Sequence, residues 1–125
     1  MLDDTIAVKQ RHQRFLDRVL AAGQVWGLKS AAGWCVSPST TDDTDSAEVM
    51  PFWSDRAYAQ QCAREAWSEY EPTAIPLDEF LDRWLPGMAT DGTLVGTNWN
   101  AQLIGFETTP QQLKEELDAR RTQTI

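Results

Sequence analysis

Three carboxylates, Asp78, Glu79 and Asp82, fall within five residues of the stretch "IPLDEFLDRWLPGM", residues 75–88. On a helix Asp78 and Asp82 are four apart and share a face, with Glu79 beside them. Such a group has the chemistry to hold a divalent cation or to act as an acid/base pair. Either role needs further convergent ligands. The single histidine, His12, lies far away in the chain. It sits at the edge of an apolar stripe, where a lone histidine more often packs against the core than acts in catalysis. Cys35 and Cys62 have no metal-ligand spacing and no cysteine-enzyme context, and there is no G-x-S-x-G. Gly87, Gly92, Gly96 and Gly105 form no phosphate-cradling loop. No cofactor and no metal site is expected.

The elements that must position these residues are readable from periodicity. Residues 3–22 predict an amphipathic helix with Val8, Phe15, Leu16, Val19 and Leu20 as its stripe and Gly23 as its stop. Val25–Lys29 and Gly33–Ser37 read as a hairpin, residues 40–48 as a polar loop, and Glu48–Trp53 as a third strand. Ser54 is placed to cap a helix running to about Tyr70, with Asp55 in its first turn. In the opening stretch Leu77, Phe80, Leu81, Trp84 and Leu85 close one helix face, and Pro86-Gly87 reads as its stop. Strands are expected at about 93–98 and 101–107, and Thr109 with Gln112 forms a capping box for a last helix. The expected fold is α+β: one domain over residues 1–125, a mainly antiparallel sheet of about five strands with about four helices packed on it. The expected core is Leu77, Phe80, Leu81, Trp84 and Leu85 with Phe15, Leu16, Val19, Trp26, Leu94, Val95 and Leu113.

Net charge is −8, and it is unevenly placed. From Asp42 to Asp91 twelve acidic residues face only Arg56, Arg64 and Arg83, a balance of −9, while the remainder carries +1. Such a chain repels nucleic acid, which needs clustered Lys and Arg. It favours a basic protein partner, although net charge also serves solubility alone. No run is long enough to span a membrane, and two reduced thiols without an export signal place the chain in the cytoplasm. Asp78, Glu79 and Asp82 thus stand as a solvated face or a protein-binding face, with Asp82 beyond the reach of the helix dipole and so the stronger contact candidate. Trp99, between Asn98 and Asn100 at an expected turn, reads either as an exposed interface anchor with Asn98 or as an aromatic folded back over a sheet edge.

Together "VWGLKSAAGWCV", "MPFWSDRAYAQQCAREAW", "IPLDEFLDRWLPGMATDGTLVGTNW" and "TTPQQLKEEL" resemble the bacterial domain-of-unknown-function family 2750, over about residues 10–118. The Asp/Thr-rich run at 40–47 and the polar "NWN" depart from its pattern. The resemblance implies a small, single-domain, cytosolic bacterial protein and carries over no catalytic residue. By size and charge alone such a domain is analogous to immunity proteins, which neutralise toxins by binding them. The reading is a non-enzymatic binding module with a basic partner, such as a toxin or nuclease, and it leaves homo-oligomerisation open. The alternative is an enzyme or small-ligand binder with a pocket between the 77–85 helix and the sheet.

Overall fold

The computed structural model describes residues 2–38 and 48–123. Helix α1, Leu2–Ala22, ends where Gly23 takes a left-handed φ of 72° and donates its N–H to the Val19 carbonyl. Strand β1, Gln24–Ser30, then turns into the two-residue β2, Gly33–Trp34. β1 also pairs antiparallel along six residues with β5, Glu71–Pro76, giving a sheet of order β2-β1-β5.

A second sheet contains β3 (Ser37–Pro38), β4 (Glu48–Phe52), β6 (Leu94–Thr97) and β7 (Phe106–Thr108), in order β3-β4-β6-β7. Its central pair β4–β6 is parallel and its other pairs are antiparallel. Trp26 and Trp53 exchange both backbone hydrogen bonds, at 2.8 and 2.7 Å, and stitch the two sheets together. The α+β class is as expected, with seven short strands in two sheets among the described residues where one sheet of about five was expected. The expected hairpin arm Gly33–Ser37 breaks after Trp34 and re-enters the other sheet at Ser37. Two-residue strands carry no alternation for periodicity to detect.

Among the described residues there are four helices. The second, α2, is only Arg56–Cys62, and a 3₁₀ turn follows at Glu65–Trp67. The helix expected through Tyr70 stops early: Arg64 is extended and Glu65 takes a left-handed φ of 55°, which break the helical path after Cys62. Its cap also differs: Asp55 occupies the N-cap without capping, and the buried Ser54 hydroxyl donates to the Asp55 carboxylate. Both Asp55 oxygens are also engaged by the Arg18 guanidinium.

Helix α3 runs as Leu77–Glu79, a π turn Phe80–Trp84, and Leu85–Asp91. It passes straight through Pro86-Gly87, the expected stop. Proline lacks an N–H and its ring crowds the carbonyl four residues back. The π turn before it, in which the Leu85 N–H reaches the Phe80 carbonyl, widens the helix there. Buried Leu85 and Met88 hold the continuing segment, and Gly92, with φ 73°, caps it. The last helix, α4, is Pro110–Gln123; the Thr109 hydroxyl caps it by accepting the Gln112 N–H at 3.1 Å.

Alternation along β1 divides the core in two. Val25 joins Phe15, Leu16, Phe80, Leu81, Leu113 and Leu117 under α1, α3 and α4. Leu28 joins Cys35, Trp53, Ala59, Cys62 and Trp99 on the side of α2. The expected core residues are buried except Trp26, Trp84 and Leu94, which are half-buried. The expected loop at 40–47 lies outside the described residues.

Candidate functional site

Asp78 and Glu79 lie in the first turn of α3 and Asp82 in its π turn, all three exposed. The inward face of the same helix is filled by Leu77, Phe80, Leu81 and Leu85, so the carboxylates project outward by amphipathicity alone. None of the three has an ion-pair partner among the described residues, and neighbouring Arg83 forms none with them. The ion pairs described occur elsewhere: Arg18–Asp55, Lys114–Asp118, Arg120–Asp17 and His12–Glu116. Asp91, at the end of α3, is exposed too. Among the described residues no group of three or more His, Cys, Asp or Glu is arranged to hold a metal ion.

An open cleft of about 910 Å³ lies at the start of α3. Asp17, Leu20 and Ala21 of α1, Pro76 to Asp78, and Arg120 and Arg121 of α4 line it. The Leu77 N–H donates to the Gly23 carbonyl at 2.9 Å and fixes the floor. Arg120 reaches Asp17 and Gln13 across the α1–α4 wall. Between the 77–85 helix and the sheet, where a pocket was expected, the interface is packed, with Phe80 and Phe52 in edge contact at 4.9 Å; this cleft lies at the helix start instead. Of the expected residues only Asp78 lines the cleft.

Asn98 and Trp99 are not at the surface. They are 2% and 3% exposed, so the exposed-anchor reading of Trp99 gives way to the folded-back one. Trp99 is held by the Phe106 carbonyl accepting its indole N–H at 3.2 Å, and it lies against Gly96 and Gly105. A Cβ on Gly105 would overlap the indole and stand 2.9 Å from the Trp99 Cα. Asn98, with a left-handed φ of 47°, is a hub. Its side-chain oxygen accepts the Ser54 N–H at 2.8 Å, and its amide donates to the Arg11 carbonyl at 3.2 Å and the Ser54 hydroxyl at 3.1 Å. In return the Arg11 guanidinium donates to the carbonyls of Asn98 and Ile104, both at 3.2 Å.

Sequence spacing gave no sign of a hydroxyl–imidazole–carboxylate chain, because its members lie 85 and 104 residues apart. His12 Nδ1 is 2.8 Å from Thr97 Oγ1, its Nε2 is 3.0 Å from Glu116 Oε1, and its ring stacks on Phe106 at 4.1 Å. An ionised Glu116 only accepts, which assigns the proton to Nε2 and makes Thr97 the donor to Nδ1. The connectivity is that of a nucleophilic triad. Thr97 is fully buried, however, so its hydroxyl meets no substrate. The chain locks α1 and α4 onto β6.

Burial holds the His12 imidazolium below its usual pKa of 6.5; the Glu116 hydrogen bond and charge oppose this, and the charge of Arg120 adds to it. The unfolded chain thus takes up a proton at a higher pH than the folded one. Stability is expected to be fully present above about pH 6.5 and to decline as pH falls toward the folded pKa. Urea titrations at several pH values check this against His12→Gln, which should lose that component. An identical pH dependence in the variant would assign the effect to other groups.

Neither cysteine is set up as a nucleophile. Burial pushes the Cys35 thiol up to about 12 and the Cys62 thiol to about 11, so both stay protonated at neutral pH.

The fold and surface together define a class: a small α+β protein of two short sheets, with an acidic helix face and a closed polar interior. The chain belongs to the family described as protein of unknown function (DUF2750), whose sequence pattern matches residues 12–117. Neither a curated protein nor a solved structure matches it. Among the described residues no helix is long and apolar enough to cross a membrane.

Proposed function

We propose that this protein is a non-enzymatic binding module of immunity or adaptor type, and that the outer face of α3 engages a basic protein such as a toxin or nuclease. The observation that carries this reading is the set Asp78, Glu79 and Asp82: exposed, on one helix, and unpaired among the described residues. Carboxylates held in this way attract a cationic surface at long range and set association rate and orientation more than affinity. Asp82 carries the most weight, because the helix dipole accounts for first-turn Asp78 and Glu79 but not for a residue one turn on. Asn98 and Trp99 are no part of this face, being buried.

The test is the triple variant Asp78→Asn/Glu79→Gln/Asp82→Asn against a basic partner recovered at low salt, where charge attraction is strongest. The association rate is expected to fall on the order of tenfold and its salt dependence to flatten. Stability is expected to drop by only about 0.3–1 kcal/mol for each of the two first-turn acids. Unchanged association kinetics for the triple variant would remove α3 as the contact.

The cleft at the start of α3 favours a second reading, a small-ligand site or enzyme pocket, on its volume of about 910 Å³. The same series separates the two. Of the three α3 carboxylates Asp78 alone lines the cleft, so a ligand there is affected by the single variant Asp78→Asn and not by Asp82→Asn.

A further inference from the structure

A smaller pocket has chemistry opposite to that of the acidic helix. About 190 Å³ in volume, it is lined by Arg11 and Arg14 of α1, Tyr58 and Gln61 of α2, and Asn98 and Asn100 of the β6–β7 loop. Among the described residues no carboxylate lines it, in a chain of net charge −8. Arg11 and Arg14 are three apart on α1 and so share a face, a like-charged pair whose repulsion an anion between them relieves.

The two arginines are prepared differently. Arg11 spends two of its five N–H protons on the Asn98 and Ile104 carbonyls, which hold the guanidinium in place and leave three to donate. Arg14 is exposed and has no ion pair among the described residues. The carboxylate that feels its charge, Asp55, is already engaged at both oxygens by Arg18 and accepts the Ser54 hydroxyl as well. The Asn100 side-chain oxygen is occupied by the N–H groups of Gln102 and Ile104, so that its amide nitrogen is left to donate. A held guanidinium, a held amide and a second guanidinium free of ion pairs among the described residues, set around one small concavity, suit an anion, and the held groups lower its ordering cost.

We propose that this cup is a binding site for a single carboxylate group. At about 30 Å³ for each water-sized group, the pocket of about 190 Å³ takes roughly six heavy atoms. That is the size of a three-carbon hydroxy acid or of one glutamate side chain. The site uses none of the residues of the acidic face and stands or falls independently of it.

The test titrates the full chain with lactate, and separately with a capped pentapeptide holding one glutamate between glycines. Backbone amide NMR shifts and tryptophan fluorescence are followed, since Trp99 also lines the pocket. Saturable shifts centred on Arg11, Arg14, Gln61 and Asn100 at millimolar ligand are expected, with at least tenfold weaker binding to Arg14→Gln at unchanged melting temperature. Tighter binding of lactate assigns the site to a free acid, and tighter binding of the peptide to an acidic side chain. Equal binding of the neutral lactamide, equal binding by Arg14→Gln, or no saturation with either ligand overturns the proposal.

Discussion

Replacing Phe80 with alanine is expected to destabilise the protein by about 3–5 kcal/mol, the range for truncating a fully buried aromatic. Phe80 is wholly inaccessible and meets Phe52 edge-on at 4.9 Å, joining α3 to β4, one of the two central strands of the second sheet. Truncation removes both the transfer free energy of the ring and the contacts of its surroundings, which close packing prevents from collapsing fully. The melting temperature is expected to fall by roughly 10–20 °C, scaled from domains of similar length. Trp84, the larger side chain of the same stripe, is expected to matter less. It is half-buried, packed edge-on to Trp34 at 4.7 Å over a strand only two residues long. Urea denaturation of both variants checks the order. A Phe80→Ala protein within 1 kcal/mol of the parent would show that this face is not the core.

The second large effect is expected at Asn98. Asn98→Ala leaves the buried Ser54 N–H without its acceptor and removes the donors that bind the Arg11 carbonyl and the Ser54 hydroxyl. An orphaned buried polar group costs about 1–3 kcal/mol. The left-handed φ of 47° adds about 1 kcal/mol for a residue with a Cβ and no compensating amide. The total is expected to be about 3 kcal/mol. Asn98→Gly separates the two contributions, because glycine accepts the backbone geometry and lacks only the hydrogen bonds. Its stability is expected to fall between those of the parent and Asn98→Ala. A glycine variant as stable as the parent would mean that Asn98 serves the turn and not the network.

What was legible in the sequence follows the range of the interaction. The stripe of α1, its stop at Gly23 and the Thr109 cap are all set within a few residues, and the structure has them where the spacing places them. The inward and outward faces of α3 are equally local, so the exposure of Asp78, Glu79 and Asp82 could be read from periodicity. Pro86-Gly87 misled because a local signal was outweighed: the π turn relieves the proline, and the burial of Leu85 and Met88 stabilises the helix beyond it. Residues 63–70 misled because their helical pattern does not mark the break: Arg64 is extended and Glu65 left-handed, and the chain goes on as a 3₁₀ turn before β5.

The polar groups divide along the same line. Local patterning of helices, strands and turns settled that this protein is α+β, and helical phase settled that an acidic helix face meets solvent. Tertiary structure alone decided that Trp99 turns inward, that His12 reaches Thr97 and Glu116, and that Arg11 and Arg14 stand against the β6–β7 loop. Periodicity records which side of its own element a residue occupies. Which residues meet across elements depends on how those elements pair and pack, here over separations of 85 residues and more, and no local pattern carries that information.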